Sequence, residues 1–290
     1  MKKSYLKYFA GLLFFGSNGV VASYIHHSSY EIVLLRSILG IVLLLGLFFI
    51  TGHRFTAFQH KKDLLFIALS GVAMAADWLL LFEAYAQIGV SLSMLINYTG
   101  PAIVIAFSPL FLKERITLAK VISLAAALLG AFFISGQAAV TGISAWGLLC
   151  AGLSAVAYAV MVLSNKLAKK VTGAENATIQ LFYTAVAVTV FVGCKQGFSI
   201  EIAAGDWLPV LLLGLINTGV GCYCYFSAIG DLPAQSAAIC GYLEPLFAVL
   251  LSALLLHETM TPLQILGAAL IVGGAVFGAC YKEKGPTVSR

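Results

Sequence analysis

The chain has 290 residues, of which 61% are hydrophobic and only 10% are charged. Soluble domains carry about 25% charged residues, so most of this protein's surface does not face water. The polar gaps between apolar stretches are too short for a soluble domain. The net charge of +5 needs no nucleic-acid partner, because the placement of the basic residues explains it below.

Ten apolar stretches of 18 to 22 residues follow one another along the chain. About 18 apolar residues are enough to cross a bilayer core of about 30 Å as a helix. A membrane barrel would show alternating segments of about ten residues instead, and a helix satisfies its own backbone hydrogen bonds in hydrocarbon. The sequence therefore predicts an all-α membrane protein with ten transmembrane helices, at residues 6–25, 32–51, 64–83, 91–112, 119–136, 145–165, 177–195, 207–227, 235–256 and 263–281.

One stretch of the sequence occurs twice, at an offset of 144 residues. Residues 98–133 and 242–277 share 11 identities over 36 positions, which include spaced Tyr, Pro, Glu and Thr residues. Apolar segments match by chance in composition, but not in spaced polar residues. The repeat predicts a duplicated half, with a first half at residues 1–136, a second half at 145–281 and a tail at 282–290.

The basic residues indicate how the two halves are oriented. With the N-terminus in the cytoplasm, 15 of the 17 Lys and Arg residues fall on the inner side, and only Arg36 and Lys195 fall on the outer side. This distribution follows the positive-inside rule, so both termini and the tail are predicted to be cytoplasmic. Five helices per half invert the second half relative to the first, and inverted repeats are typical of secondary transporters.

Several short motifs carry a resemblance to a known group of proteins. They are Phe15-Gly-Ser-Asn18, Leu35-Arg36, Tyr98-Thr-Gly-Pro101, Lys113-Glu114-Arg-Ile-Thr, Tyr242-Leu-Glu-Pro245 and His257-Glu258. With these motifs the chain resembles the EamA-like ten-helix transporters of the drug/metabolite transporter superfamily over essentially its whole length. The resemblance implies two five-helix repeats, a central cavity lined mainly by the first four helices of each repeat, and alternating access.

Two carboxylates lie inside predicted helices, where a charge costs about 2.5–3.5 kcal/mol to insert. Asp77 lies in the outer half of the third helix, and Glu244 lies near the midplane of the ninth. Their repeat counterparts are Thr218 and Gly100, so the repeat itself does not require either charge. Both acids are predicted to contact substrate or to carry protons, whereas the position of Glu83 at an outer helix end is equally well explained by the interface.

Arg36 lies inside the second predicted helix, near its outer end. Three roles stay open for its side chain: extension to the outer headgroups, an ion pair with Asp77, or binding of a substrate carboxylate. Pro101 and Pro245 each remove one mid-helix backbone hydrogen bond. They are predicted to kink their helices and to act as hinges, with helix packing alone as the alternative.

Uncharged side chains complete the predicted site: Asn18, Trp78, Asn97, Tyr98 and Tyr242, with Tyr158, Asn217, Tyr223 and Tyr225 as further polar or aromatic candidates. Glu114 and Glu258 directly follow their spans, and each precedes a threonine by three residues. Turn and helix-cap chemistry therefore explains these two acids best.

The sequence contains no hydrolase elbow, nucleotide-binding loop or zinc-protease helix motif, and it predicts no catalytic residue, cofactor or metal. It predicts a multi-pass secondary active transporter of the inner or plasma membrane, whose partners are lipid and a small-molecule substrate. We expect export of a small polar or amphipathic metabolite, such as an amino acid or similar zwitterion. Proton coupling, an uncoupled facilitator or importer, and a monomer or homodimer all stay open, and a membrane-embedded enzyme is the alternative from another class.

Overall fold

The computed structural model describes residues 2–22, 24–135, 144–197, 202, 205–255 and 261–280, and all regular structure in these ranges is helical. A short 3-10 turn at Ala57–Gln59 and a π-helix at Leu212–Val220 accompany the α-helices. The predicted all-α class is confirmed. The helices are α1 (Lys2–Gly16), α2 (Asn18–Ala22), α3 (Ser29–Ile50), α4 (Lys61–Ile88), α5 (Val90–Asn97), α6 (Gly100–Leu112), α7 (Leu118–Ser135), α8 (Ala145–Leu167), α9 (Gly173–Gln196), α10 (Trp207–Leu211), α11 (Gly221–Ile229), α12 (Ala234–Gly241), α13 (Leu243–Leu255) and α14 (Pro262–Cys280).

Seven helical runs among the described residues are long and apolar enough to cross a membrane. Two further helical stretches, Leu118–Phe133 and Pro262–Phe277, are apolar but shorter. The helices lie where the apolar stretches predict them, and α4 is longer than predicted, with 28 residues. The seven runs are Tyr30–Ile50, Lys61–Ile88, Leu92–Leu112, Ala145–Leu167, Gly173–Gln196, Trp207–Ile229 and Ala234–Leu255.

The first predicted helix, at 6–25, is interrupted at Ser17, which separates α1 from α2. The Ser17 hydroxyl donates a hydrogen bond to the Phe14 carbonyl at 2.7 Å, and the Asn217 amide donates to the same carbonyl at 3.1 Å. A serine side chain offers the helix backbone a competing partner. The second half therefore supplies a polar group where the first helix breaks.

Two more predicted helices are interrupted rather than kinked. Tyr98 and Thr99 separate α5 from α6, and Tyr242 separates α12 from α13. Pro101 and Pro245 consequently lie in the first turn of the helix that follows each break. The first four N–H groups of a helix have no intrahelical partner, so a proline is tolerated there. The structure thus shows a short break just before each proline where a kink was predicted, and the hinge role of both prolines stays a prediction.

The predicted helix at 207–227 contains the π-helix, which the sequence did not predict. Within it the Thr218 hydroxyl donates to the Leu213 carbonyl at 2.8 Å, five residues earlier. A π-helical turn places side chains out of step with an α-helix and is often found at functional sites. Here it brings Asn217 and Thr218 toward the first half of the chain.

Each half packs its first helix against helices of the other half. Helix α1 lies against α11 and α13 of the second half, and α8 lies against α4 and α6 of the first. A Cβ atom on Gly16 would lie 2.8 Å from the Glu244 carbonyl oxygen, and one on Gly100 would lie 3.0 Å from the Ala155 carbonyl oxygen. The absent side chains at these two glycines allow the helices to approach closely.

We expect Gly16→Leu to destabilise the protein by about 1–3 kcal/mol, because an inserted side chain overpacks a close helix contact. Gly19→Leu is the matched control, since no heavy atom lies within 4 Å of a Cβ built at Gly19. Melting temperatures of the two variants in detergent measure the difference. A Gly16→Leu protein that melts with the Gly19→Leu protein would contradict the packing described here.

Candidate substrate site

Asp77 is buried in α4, where an amide from the end of α5 holds its carboxylate. Asn97 Nδ2 donates to Asp77 Oδ1 at 2.9 Å and to Ser154 Oγ at 2.7 Å. Ser154 belongs to α8, so the Asn97 amide joins both halves of the chain next to a helix break. The structure thus brings together two of the predicted site residues, Asp77 and Asn97, and adds Ser154.

Arg36 is also buried, with 5% of its surface exposed, so its side chain does not extend to the outer headgroups. Its Nε donates to Thr218 Oγ1 at 2.8 Å, and its guanidinium carbon lies 4.3 Å from the centre of the Trp78 ring. In the described part of the chain no ion pair within 4.0 Å joins Arg36 to Asp77. The ion pair with Asp77 is therefore not formed among the described residues, and binding of a substrate carboxylate by Arg36 stays a prediction.

Glu244 lies in the first turn of α13, just after the helix break, and is half-buried. No described residue donates a hydrogen bond to its carboxylate or pairs with it. It interacts electrostatically with Arg36 and Asp77. It also interacts electrostatically with five tyrosines from both halves, of which Tyr8, Tyr98 and Tyr225 are buried and Tyr85 and Tyr158 are half-buried. A partly exposed carboxylate among so many buried groups can accept hydrogen bonds from a solute inside the bundle.

The repeat-related tyrosines Tyr98 and Tyr242 meet in the middle of the bundle. The Tyr242 hydroxyl donates to the Tyr98 carbonyl oxygen at 2.6 Å, and the two ring centres are 6.3 Å apart. Both side chains are buried. This contact ties the α5–α6 break to the α12–α13 break, so both breaks lie at one level of the molecule.

Aromatic rings form one wall next to Glu244. The Tyr8 and Tyr225 ring centres are 4.8 Å apart, and the Tyr158 and Tyr225 hydroxyl oxygens are 3.5 Å apart. The sequence pointed to Tyr158 and Tyr225 but missed Tyr8 and Tyr85. Tyr8 follows Lys7 directly and Tyr85 lies near the end of α4, so both positions look like interfacial anchors.

Asn18 takes part in a different contact. Its Oδ1 accepts a hydrogen bond from Asn217 Nδ2 at 3.1 Å, and Asn217 Nδ2 also donates to Ser17 Oγ at 2.8 Å. These bonds lie at the break between α1 and α2. The described contacts therefore place Asn18 in a link between the halves and do not bring it to Glu244.

Glu83 lies in a polar cluster at the end of the bundle that the charge pattern assigns to the outside. Lys195 Nζ lies 3.5 Å from the Glu83 carboxylate and donates to the Tyr30 hydroxyl at 2.7 Å. Tyr30 also donates to Glu83, and Trp146 Nε1 donates to Glu83 at 3.3 Å. Two of these residues belong to each half, so the cluster, which we call the outer cluster, joins the halves.

A second polar link at this end involves the segment before α10. The His26 backbone N–H donates to Asp206 Oδ2 at 2.8 Å, and the His26 ring Nδ1 lies 3.1 Å from Asp206 Oδ1. The backbone hydrogen bond, followed by the ring contact, lowers the pKa of the Asp206 carboxyl. His27 Nε2 lies 3.7 Å from Asp206, and its Nδ1 lies 3.4 Å from Glu31.

The whole chain matches a known family. A model described as the EamA-like transporter family matches residues 2–136 and again residues 145–278. The chain belongs to the EamA-like transporter family. The resemblance carried by the sequence motifs is therefore confirmed, and the protein is a membrane transporter with a small-molecule substrate. The family and the names of its relatives indicate a transporter and not an enzyme.

Several relatives of this EamA-like transporter are named as transporters. The uncharacterized transporter YxxF of Bacillus subtilis (strain 168) is 23% identical over 93% of this chain and 87% of its own length. A probable terminal-alkyne amino-acid exporter of Streptantibioticus cattleyicolor is 30% identical over 75% of this chain and 73% of its own length. A crystal structure of a protein with 18% identity superposes with a TM-score of 0.81 and covers 96% of this chain and 98% of its own, which supports the fold.

Proposed function

We propose that this transporter exports a small zwitterionic metabolite, such as an amino acid, by alternating access. The observation that carries the proposal is the pair Arg36 and Glu244, which interact electrostatically inside the bundle without forming an ion pair within 4.0 Å among the described residues. Arg36 is buried and Glu244 is half-buried. Charges removed from water are costly without a partner, so each is expected to have one when the protein works. A zwitterion supplies both partners at once.

The proposed binding mode assigns one end of the solute to each charge. The substrate carboxylate accepts hydrogen bonds from the Arg36 guanidinium, whose Nε is already held by Thr218. The substrate ammonium donates to the Glu244 carboxylate, and the tyrosine rings around that carboxylate also favour a cation. The Trp78 ring lies 4.3 Å from the guanidinium carbon and gives the cation a favourable neighbour.

The proposed architecture consists of ten crossings in two inverted five-helix halves, with both termini in the cytoplasm of the cell and the inner or plasma membrane around them. The internal repeat and the distribution of Lys and Arg support it. The packing of α1 and α8 also supports this architecture. Helix α1 packs against helices of the second half and α8 packs against helices of the first, as equivalent helices of two repeats would. In such a protein the substrate lies at the interface of the halves. The direction of transport rests on the amino-acid exporter among the relatives.

Asp77 is the proposed proton carrier, since it is a buried acid whose partners, Asn97 and Ser154, lie at a helix break between halves. We expect Asp77→Asn to keep amino-acid binding within about threefold and to abolish transport driven by a pH gradient. An amide at this position still hydrogen-bonds but does not titrate between pH 5 and 8. Flux in proteoliposomes with and without an imposed pH gradient measures this effect.

The same assay distinguishes proton-coupled transport from uncoupled transport. A wild-type protein whose flux ignores the pH gradient would be the uncoupled facilitator or importer, and Asp77 would then have no proton to carry. Counterflow distinguishes a carrier from a pore, because only a carrier is accelerated by substrate on the opposite side. An Asp77→Asn protein that still uses the gradient would overturn the assignment of Asp77.

A further inference from the structure

We propose that α12 is the gate on the cytoplasmic side of the substrate cavity and that Glu114 is its latch. This inference rests on the proposed alternating-access function and names the element that moves. Helix α12 has eight residues, Ala234–Gly241, and is separated from α13 by the break at Tyr242. It can therefore change its tilt without carrying the whole of α13 with it.

The latch is a carboxylate from one half on the helix end of the other. Glu114 follows α6 in the first half, and its two oxygens accept from the backbone N–H groups of Ala234 at 2.6 Å and Gln235 at 3.1 Å. These N–H groups begin α12, where a helix has unpaired donors and the positive end of its dipole. Glu114 thus has the predicted helix-cap chemistry, but it caps α12 of the other half; its repeat partner Glu258 lies outside the described residues.

Two further side chains of the first half hold α12 along its length. Gln235 Nε2 donates to Ser108 Oγ of α6 at 2.6 Å, and the Tyr8 hydroxyl of α1 donates to the Ala237 carbonyl at 3.0 Å. The loop before α12 is held in the same way, because Ser4 Oγ donates to Asp231 at 2.8 Å. The bonds from Glu114 and Ser108 join α12 to the end of α6, so they break when α12 moves away from α6. The bonds from Ser4 and Tyr8 come from α1, which packs against α11 and α13 of the second half.

The closed gate also contains a polar atom that weakens it. Gln235 Oε1 is buried and has no hydrogen-bond partner among the described residues. An unpaired buried acceptor destabilises the state that contains it. Opening lets water reach this oxygen, which balances part of the loss of the Glu114 and Ser108 contacts. A gate that must open during every transport cycle requires a balance of this kind.

The outer cluster provides a matched comparison at the opposite end. Lys195 and Trp146 of the second half contact Glu83 of the first, so Glu83→Gln weakens a link between halves on the outside. In alternating access the two ends do not open together. Weakening the latch at Glu114 is therefore expected to favour the inward-open state, and weakening the outer cluster to favour the outward-open state.

The test uses Cys240, which lies on α12 and is 3% exposed in the closed gate. In the full-length protein the other five cysteines are replaced by alanine, and the labelling rate of Cys240 by a membrane-impermeant maleimide is measured from each side of the membrane. We expect Glu114→Ala to raise labelling from the cytoplasmic side at least tenfold, Glu114→Gln to raise it less, and Glu83→Gln to lower it. Arg115→Ala removes an exposed charge from the same turn and should change nothing.

Unchanged cytoplasmic labelling in both Glu114 variants would overturn the proposal, and so would an equal rise in Arg115→Ala. If Glu114→Ala does not yield folded protein, the Glu114→Gln variant decides alone. The labelling requires no substrate. A wild-type protein that fails to move amino acids would therefore refute the proposed substrate, while the labelling pattern would still decide the gate.

Discussion

Glu244→Gln is expected to lower the affinity for an amino-acid substrate by about 10- to 100-fold at neutral pH. The substitution keeps the size of the side chain and removes its charge, so the substrate ammonium loses a charge-assisted hydrogen bond worth about 1.5–3 kcal/mol. Because 1.4 kcal/mol corresponds to tenfold in affinity, that loss gives the expected range. Isothermal titration of the purified protein with an amino acid found by a thermal-shift screen measures it.

A matched control is Asp63→Asn, which neutralises an acid at the opposite end of α4 from the cavity. Asp63 accepts a hydrogen bond from the Lys170 backbone at 2.6 Å and contacts none of the proposed site residues. It should bind the amino acid as the wild type does. If Glu244→Gln also binds normally, the ammonium is recognised elsewhere and the tyrosine-lined carboxylate is structural.

Arg36→Gln is expected to reduce amino-acid affinity by a similar factor and to leave the affinity for the corresponding amine unchanged. The amine lacks the carboxylate, so it has no bond to Arg36 to lose. The amino-acid affinity of Arg36→Lys should fall between those of the wild type and Arg36→Gln. An ammonium keeps the charge but lacks the forked donors that bind a carboxylate at two points. Competition of the amino acid and the amine for each variant measures this selectivity.

The Arg36 side chain also contacts Thr218 and Trp78, so its loss can disturb the fold. Thr218→Val provides the control, because it removes the hydrogen bond to Nε while the charge stays. We expect Thr218→Val to weaken amino-acid binding only slightly. Equal loss of amino-acid and amine binding in Arg36→Gln would show that the guanidinium supports the shape of the cavity and does not bind the substrate carboxylate.

The helical class and the positions of the apolar helices could be predicted because each depends on a long run of apolar residues. The interruptions could not. Tyr98 and Tyr242 sit inside stretches that are apolar on average, and hydropathy carries no information about which backbone hydrogen bonds are made. Pro101 and Pro245 indicated where the helices are disturbed but not whether each is kinked or interrupted, because a proline fits both a kink and the first turn of a new helix.

The embedded charges were visible in the sequence because charged residues in apolar helices are rare. That is why Asp77, Arg36 and Glu244 could be named as candidates, whereas their partners required the fold. The pairing of Arg36 with Thr218 depends on the π-helix, and Glu114 reaches a helix 120 residues away. Tyr8 was missed because an aromatic side chain next to a lysine resembles an interfacial anchor.

A three-ligand titration tests whether one solute bridges Arg36 and Glu244. The ligands are an amino acid, the amine without its carboxylate and the acid without its amine, each titrated into wild type, Glu244→Gln and Arg36→Gln. We expect the amino acid to bind the wild type best. Glu244→Gln should lose affinity only for ligands with an amine, and Arg36→Gln only for ligands with a carboxylate. Loss of all three ligands in either variant, or of none, would contradict it.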